Sequence, residues 1–97
     1  MNYKAKYKQL VAEAHKKGLH VSHVKDKATR DFVGMNPQAA KAFGFKMRSN
    51  TIMIDKNLNL RDKCLTLNHE LIEVDLMKRG MKYWPAHKRA LRLEKKL

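Results

Sequence analysis

From Leu60 to Arg79 the chain spells out an amphipathic helix, and this segment constrains the fold more than any other. Leu60, Cys64, Leu67, Leu71 and Val74 recur at i, i+4, i+7, i+11 and i+14, the spacing that lines side chains along one face of a helix. Leu65, Ile72 and Leu76 widen that apolar side. Asp62, Thr66, His69 and Glu73 keep the same rhythm two residues later, about 200° around the axis. One face is therefore built for a core and the opposite one for polar work. Asn57 or Asn59 is placed to cap the start, and Gly80 to stop the end.

The remaining segments read as helices and short strands around this one. Tyr3 to Lys17 is a helix with Tyr3, Tyr7, Leu10, Val11 and Ala14 on one stripe. Lys16 and Lys17 complement its C-terminal dipole, and Gly18 falls where a left-handed cap belongs. Leu19 to Val24 nearly alternates apolar with polar residues, as a half-buried strand does. Lys25 to Thr29 is polar and turn-like, and Phe32-Val33-Gly34 is expected as a strand end. Asn36-Pro37 supplies an N-cap and a first-turn proline for one or two helical turns closed by Gly44. Thr51 to Asp55, β-branched and compact, is the clearest strand. After Gly80, Met81 to Trp84 make a short connection and Pro85 opens a last helix, with Ala86, Ala90, Leu93 and Leu97 on its buried face. So short a link makes the last two helices antiparallel neighbours. The expected architecture is one α+β domain over residues 1–97: an N-terminal helix, a small two- or three-stranded sheet and a C-terminal helical hairpin.

A chain of 97 residues has room for one small core. Met1 to Leu10 carries three lysines and no continuous apolar run, so no secretory leader is expected. Nor does any stretch approach the ~20 apolar residues of a membrane span. Cys64 is the only cysteine, which excludes an internal disulfide framework and suits a reducing cytoplasm. The net charge is +13, unevenly spread. Residues 1–17 carry five lysines against Glu13, and residues 77–97 carry eight Lys or Arg against Glu94. Only residues 61–76 are acidic, with Arg61 and Lys63 against Asp62, Glu70, Glu73 and Asp75. A basic shell of this kind is attracted to nucleic acid or to acidic protein surfaces, or serves as a solubilising surface.

The acidic segment holds the sequence His69-Glu70-Leu71-Ile72-Glu73, an H-E-x-x-E arrangement. Side chains four apart share a helix face, so His69 and Glu73 can reach one metal ion, with Glu70 beside them as a base. The alternative is a solvated helix face on which Glu70 and Glu73 pair with basic neighbours. A catalytic zinc takes three protein ligands and keeps a position open, and His87 is the candidate third. Glu73 lies about 9 Å back from Arg79 along one helix and His87 about 3 Å into the next, which leaves roughly 6 Å for the turn to absorb. Otherwise His87 is a half-buried histidine packed near Tyr83 and Leu91. His20 and His23 lie three apart on a strand and face opposite ways, so at most one could contribute. His15 sits at the lysine-rich end of the first helix. Asp62 and Thr66 are placed to hydrogen-bond the ligands, and Tyr83 either polarises a carbonyl or serves as packing in the tight connection between helices.

The segment from Thr51 to Ala90 resembles a zincin-like family. In order it carries Thr-Ile-Met-Ile-Asp, a capped loop, Thr66-Leu67-Asn68-His69-Glu70-Leu71-Ile72-Glu73, then Leu76 to Tyr83, then Ala86-His87. The strand, spacer and His-Glu-Leu helix are similar to small metallopeptidases that inactivate phage repressors. The run from His69 to His87 looks closer to minimal metallopeptidase-like domains of bacterial polymorphic toxins and mobile elements. The resemblance implies a small zinc-dependent metallopeptidase-like protein, phage- or mobile-element-encoded and cytoplasmic, acting on a protein or peptide. It implies His69, Glu73 and His87 as ligands of Zn2+ and Glu70 as the catalytic acid/base. The chain departs from the family in carrying Glu, where His is usual, as the second ligand. It is also shorter than most peptidases, which leaves little room for a cleft.

A reading from another class is a basic nucleic-acid-binding module, with a structural metal or none. In that case Lys78, Arg79, Lys82, Lys88, Arg89 and Arg92 contact phosphates, and binding falls steeply with salt. A third is an adaptor that docks on an acidic host protein through the same surface.

Overall fold

The computed structural model describes residues 1–25, 32–44 and 46–97. They form α1 (Tyr3–Lys16), β1 (His20–Val24), β2 (Gly34–Met35), α2 (Pro37–Phe43), β3 (Thr51–Asp55), α3 (Leu60–Lys78) and α4 (Tyr83–Leu93). The architecture is the expected α+β layout, with three strands in the sheet. The turn read over Lys25 to Thr29 lies, except for Lys25, outside the described residues. No helix among them is long and apolar enough to cross a membrane.

The most β-branched segment, β3, takes the centre of a sheet ordered β1-β3-β2. β1 runs parallel to it, with His20 opposite Thr51, and β2 antiparallel, with Gly34 opposite Ile54. Ile52 and Ile54 are two residues apart and therefore project to one side. There they pack with Leu10 and Ala14 of α1 and with Cys64, Leu67, Leu71 and Val74 of α3. Burying each Leu- or Ile-sized side chain contributes roughly 1.5–3 kcal/mol. A smaller cluster joins Met35, Ala39 and Ala40, flanked by Met53 and Tyr83.

Local signals set the helix ends. Asn59 Oδ1 accepts from the Asp62 amide at 2.8 Å, and Asn36 Oδ1 from the Ala39 amide at 2.8 Å. Gly44 (φ +75°) and Gly80 (φ +102°) take left-handed conformations just past helical segments. Lys17 caps α1 and ties it to α3 through a 2.6 Å ion pair with Asp75.

Three differences from the sequence reading follow from packing. α3 is not half-solvated: His69, Glu70 and Glu73 of its polar face are buried, whereas Leu60, at the head of its apolar stripe, is exposed. α4, α2 and β2 close over that polar face. α4 also begins at Tyr83, with Lys82 as its cap residue, two residues before Pro85. A proline in the first turn is tolerated because amides there have no helical partner. On α4 itself Ala86 and Ala90 are fully buried while Leu93 is only partly covered, and Leu97, expected on the same face, lies past the helix end and is also only partly covered.

Candidate metal centre

The early start of α4 settles the distance problem between its histidine and α3. His87 lies four residues into α4, about 6 Å along the axis, and Glu73 lies five residues before the end of α3, about 7.5 Å. The two helices run antiparallel, so the side chains arrive nearly level. His69 Nε2 is 2.9 Å from Glu73 Oε2, His87 Nδ1 is 2.9 Å from the same oxygen, and the two nitrogens are 3.2 Å apart. Three potential donor atoms thus converge on one point. His20 and His23 take no part: His20 is exposed, and His23 Nε2 meets the Tyr7 hydroxyl at 2.6 Å. His15 sits edge-on to His20, away from the centre.

The centre is braced from two sides by residues whose role the sequence did not announce. Asn36 is fully buried, and while its Oδ1 caps α2 its Nδ2 donates to Glu73 Oε1 at 3.0 Å. His69 Nδ1 donates to Glu94 Oε2 at 2.8 Å, which aims Nε2 at the centre. Glu94 lies seven residues after His87 and hence on the same face of the helix, the one signal that pointed to it. Asp62, expected in such a role, turns instead to Arg61 at 3.3 Å. Tyr83 stacks on the His87 ring, and its hydroxyl lies 3.3 Å from His87 Nδ1.

Buried carboxylates dominate the electrostatics of the cluster. Burial by itself would push the His69 imidazole down, but its hydrogen bond to Glu73 and the charges of Glu70, Glu73 and Glu94 outweigh that and raise it to about 9. Burial would push Glu73 up, yet the two imidazoles hold it below its ordinary value. Glu70 is pushed up to about 8 by burial and by the Glu73 charge, which together outweigh the lowering pull of the His69 charge and of a hydrogen bond from Asn36. Burial, with the Glu73 and Glu70 charges, pushes the Tyr83 phenol up to about 12, so it keeps its proton at neutral pH.

Comparison with protein-family models, curated proteins and solved structures finds no match. The chemistry therefore has to be argued from the residues themselves. Two imidazoles and a carboxylate are a donor set that zinc accepts, and tetrahedral zinc with bonds of about 2.0–2.1 Å sets its ligand atoms about 3.3 Å apart. The three separations fit, with slight expansion at Glu73. The centre opens on a cleft of about 370 Å³. Glu70 and Tyr83 line it together with an apolar wall that includes Val33, Met35, Leu65 and Leu91. A pocket of this size accommodates a side chain or a short peptide segment, more room than the chain length suggested.

Proposed function

We propose that this chain is a small zinc-dependent, metallopeptidase-like hydrolase of the zincin-like kind, acting in the cytoplasm on a protein or peptide and carried by a phage or mobile element. The observation that carries the reading is the convergence of His69, Glu73 and His87 at 2.9–3.2 Å on the floor of an open cleft. Zinc held there would act as a Lewis acid on a carbonyl and would acidify water. Its carboxylate ligand makes it a weaker Lewis acid than one held by neutral imidazoles alone. Glu70 takes the proton from the attacking water and passes it to the leaving amine, and a carboxyl raised to about 8 is suited to both transfers near neutral pH. Tyr83, still protonated, donates to the carbonyl oxygen as negative charge develops on it.

Elemental mass spectrometry on the tag-free protein tests the centre. One zinc per chain is expected, lost in His69→Ala, Glu73→Ala and His87→Ala. Against a fluorogenic peptide library, Glu70→Gln is expected to keep zinc while hydrolysis drops by about 10²–10⁴-fold. An unchanged rate in Glu70→Gln would remove Glu70 from the mechanism, and a protein that takes up no zinc at neutral pH would remove the proposal as a whole.

A further inference from the structure

α4 divides into three faces. Ala86 and Ala90 point into the core, and Tyr83, His87 and Glu94 point to the metal centre. On the remaining arc of about 120° stand Lys88, Arg89 and Arg92, continued by Lys95 and Lys96, all exposed. None of these five forms an ion pair among the described residues. The reason lies in Glu94, the only acidic side chain of residues 77–97. It is turned inward onto His69, so the outer arc has no counter-charge of its own.

We propose that this outer face of α4 binds the phosphate backbone of a nucleic acid. From Lys82, at the cap of α4, to Arg92 the cations span about 15 Å at the helical rise, with Lys95 and Lys96 just past the helix end, long enough to follow several phosphates of a strand. Trp84 borders the arc, 63% exposed and one turn before Lys88, and an indole face beside cations suits stacking on an unpaired base. A bilayer is a poorer fit, because the apolar face that an interfacial helix would bury is already packed on α3. An acidic protein is also a poorer fit, because the exposed apolar residues here, Trp84 and Leu91, stand at the two edges of the cationic row rather than forming the dry apolar centre that a stable protein interface needs. Trp84 touches the rings of Tyr83 and His87, but the cations of this surface play no part in the metal centre, so either proposal can fail without the other.

Trp84 is the only tryptophan, so its emission reports binding directly. The full chain is titrated with a single-stranded oligonucleotide of about 20 nucleotides and with its duplex. Quenching on the single strand is expected, with affinity falling about a hundredfold between about 50 and about 200 mM salt, the slope expected when roughly five phosphates are neutralised and their counterions released on binding. Followed by anisotropy of the labelled oligonucleotide, Lys88→Glu/Arg89→Glu/Arg92→Glu is expected to weaken binding by tenfold or more. The control Lys4→Glu/Lys8→Glu/Lys16→Glu changes the net charge equally on α1 and should leave affinity within about twofold. Equal losses in the two triples would overturn the proposal, and so would no loss in either. So would poly-glutamate or anionic phosphatidylserine vesicles binding as tightly as the oligonucleotide. Circular dichroism checks the fold, and the neutral triple Lys88→Gln/Arg89→Gln/Arg92→Gln replaces the reversal if that variant fails to fold.

Discussion

Glu70 sits 4% exposed beside a second buried carboxylate, an arrangement that destabilises the fold whenever both are charged. Its carboxyl is raised from 4.5 to about 8 in the folded chain. The stability tied to its protonated form is therefore full below about pH 4.5 and is lost as pH rises through about 8. His69, raised from 6.5 to about 9, acts in the same direction over the higher window. Metal-free protein should thus melt at a clearly lower temperature at pH 9 than at pH 6. Glu70→Gln should raise the metal-free melting temperature at pH 8, by a free energy on the order of a few kcal/mol, and flatten the pH dependence. Calorimetry across that range checks both. For Glu94, replacing the charge with an amide in Glu94→Gln should weaken zinc binding about 10–100-fold, read by competition with a chromophoric chelator. His69, Glu73 and His87 were legible from the sequence because a helical repeat and a returning helix suffice to bring them together. Asn36 and Glu94 were not. A capping asparagine announces only its oxygen, and nothing in one dimension says where its amide points. A lone glutamate among lysines reads as a solvated charge until the tertiary fold turns it inward.

At the level of elements, the approach of β2 to α3 shapes the cleft. A methyl group on Gly34 would lie 2.6 Å from Thr66 Cγ2 and 3.3 Å from Glu70 Cγ, so either the strand or the Thr66 side chain must shift to admit one. Gly34→Ala should therefore displace one of them and cost about 1–3 kcal/mol, measurable by urea denaturation. A stability equal to wild type would mean that the wall yields freely. The helices, the cap at Asn36 and the β3 strand were legible because their signals are local, and of the two candidate caps for α3, Asn57 and Asn59, the structure uses Asn59. The burial of the polar face of α3 was not, since a single amphipathic pattern does not say how many layers will close over it. The start of α4 was misplaced for a related reason. Pro85 marks a first turn but leaves open which residue of that turn it occupies.

Across the whole molecule, charge is sorted by depth. Glu70, Glu73 and Glu94 face inward while most lysines and arginines face out, so the net +13 is mainly a property of the surface. Mutual repulsion over that surface opposes folding and is screened within about 10 Å at about 0.1 M salt. Raising sodium chloride from about 10 to about 150 mM should increase the melting temperature by a few degrees. A melting temperature that falls with salt would mean that attractive pairs, such as Lys17 with Asp75, dominate instead.

Because three duties are distributed around one helix at 100° per residue, α4 should tolerate substitutions far better than insertions. A swap of lysine for arginine on its outer arc leaves every other face in place. One extra residue after Lys88 would turn everything downstream by a quarter turn or more. Arg89 would then fall where Ala90 is fully buried, and Leu93 would replace Glu94 opposite His69. Among natural variants of this segment, length should therefore be held far more strictly than composition.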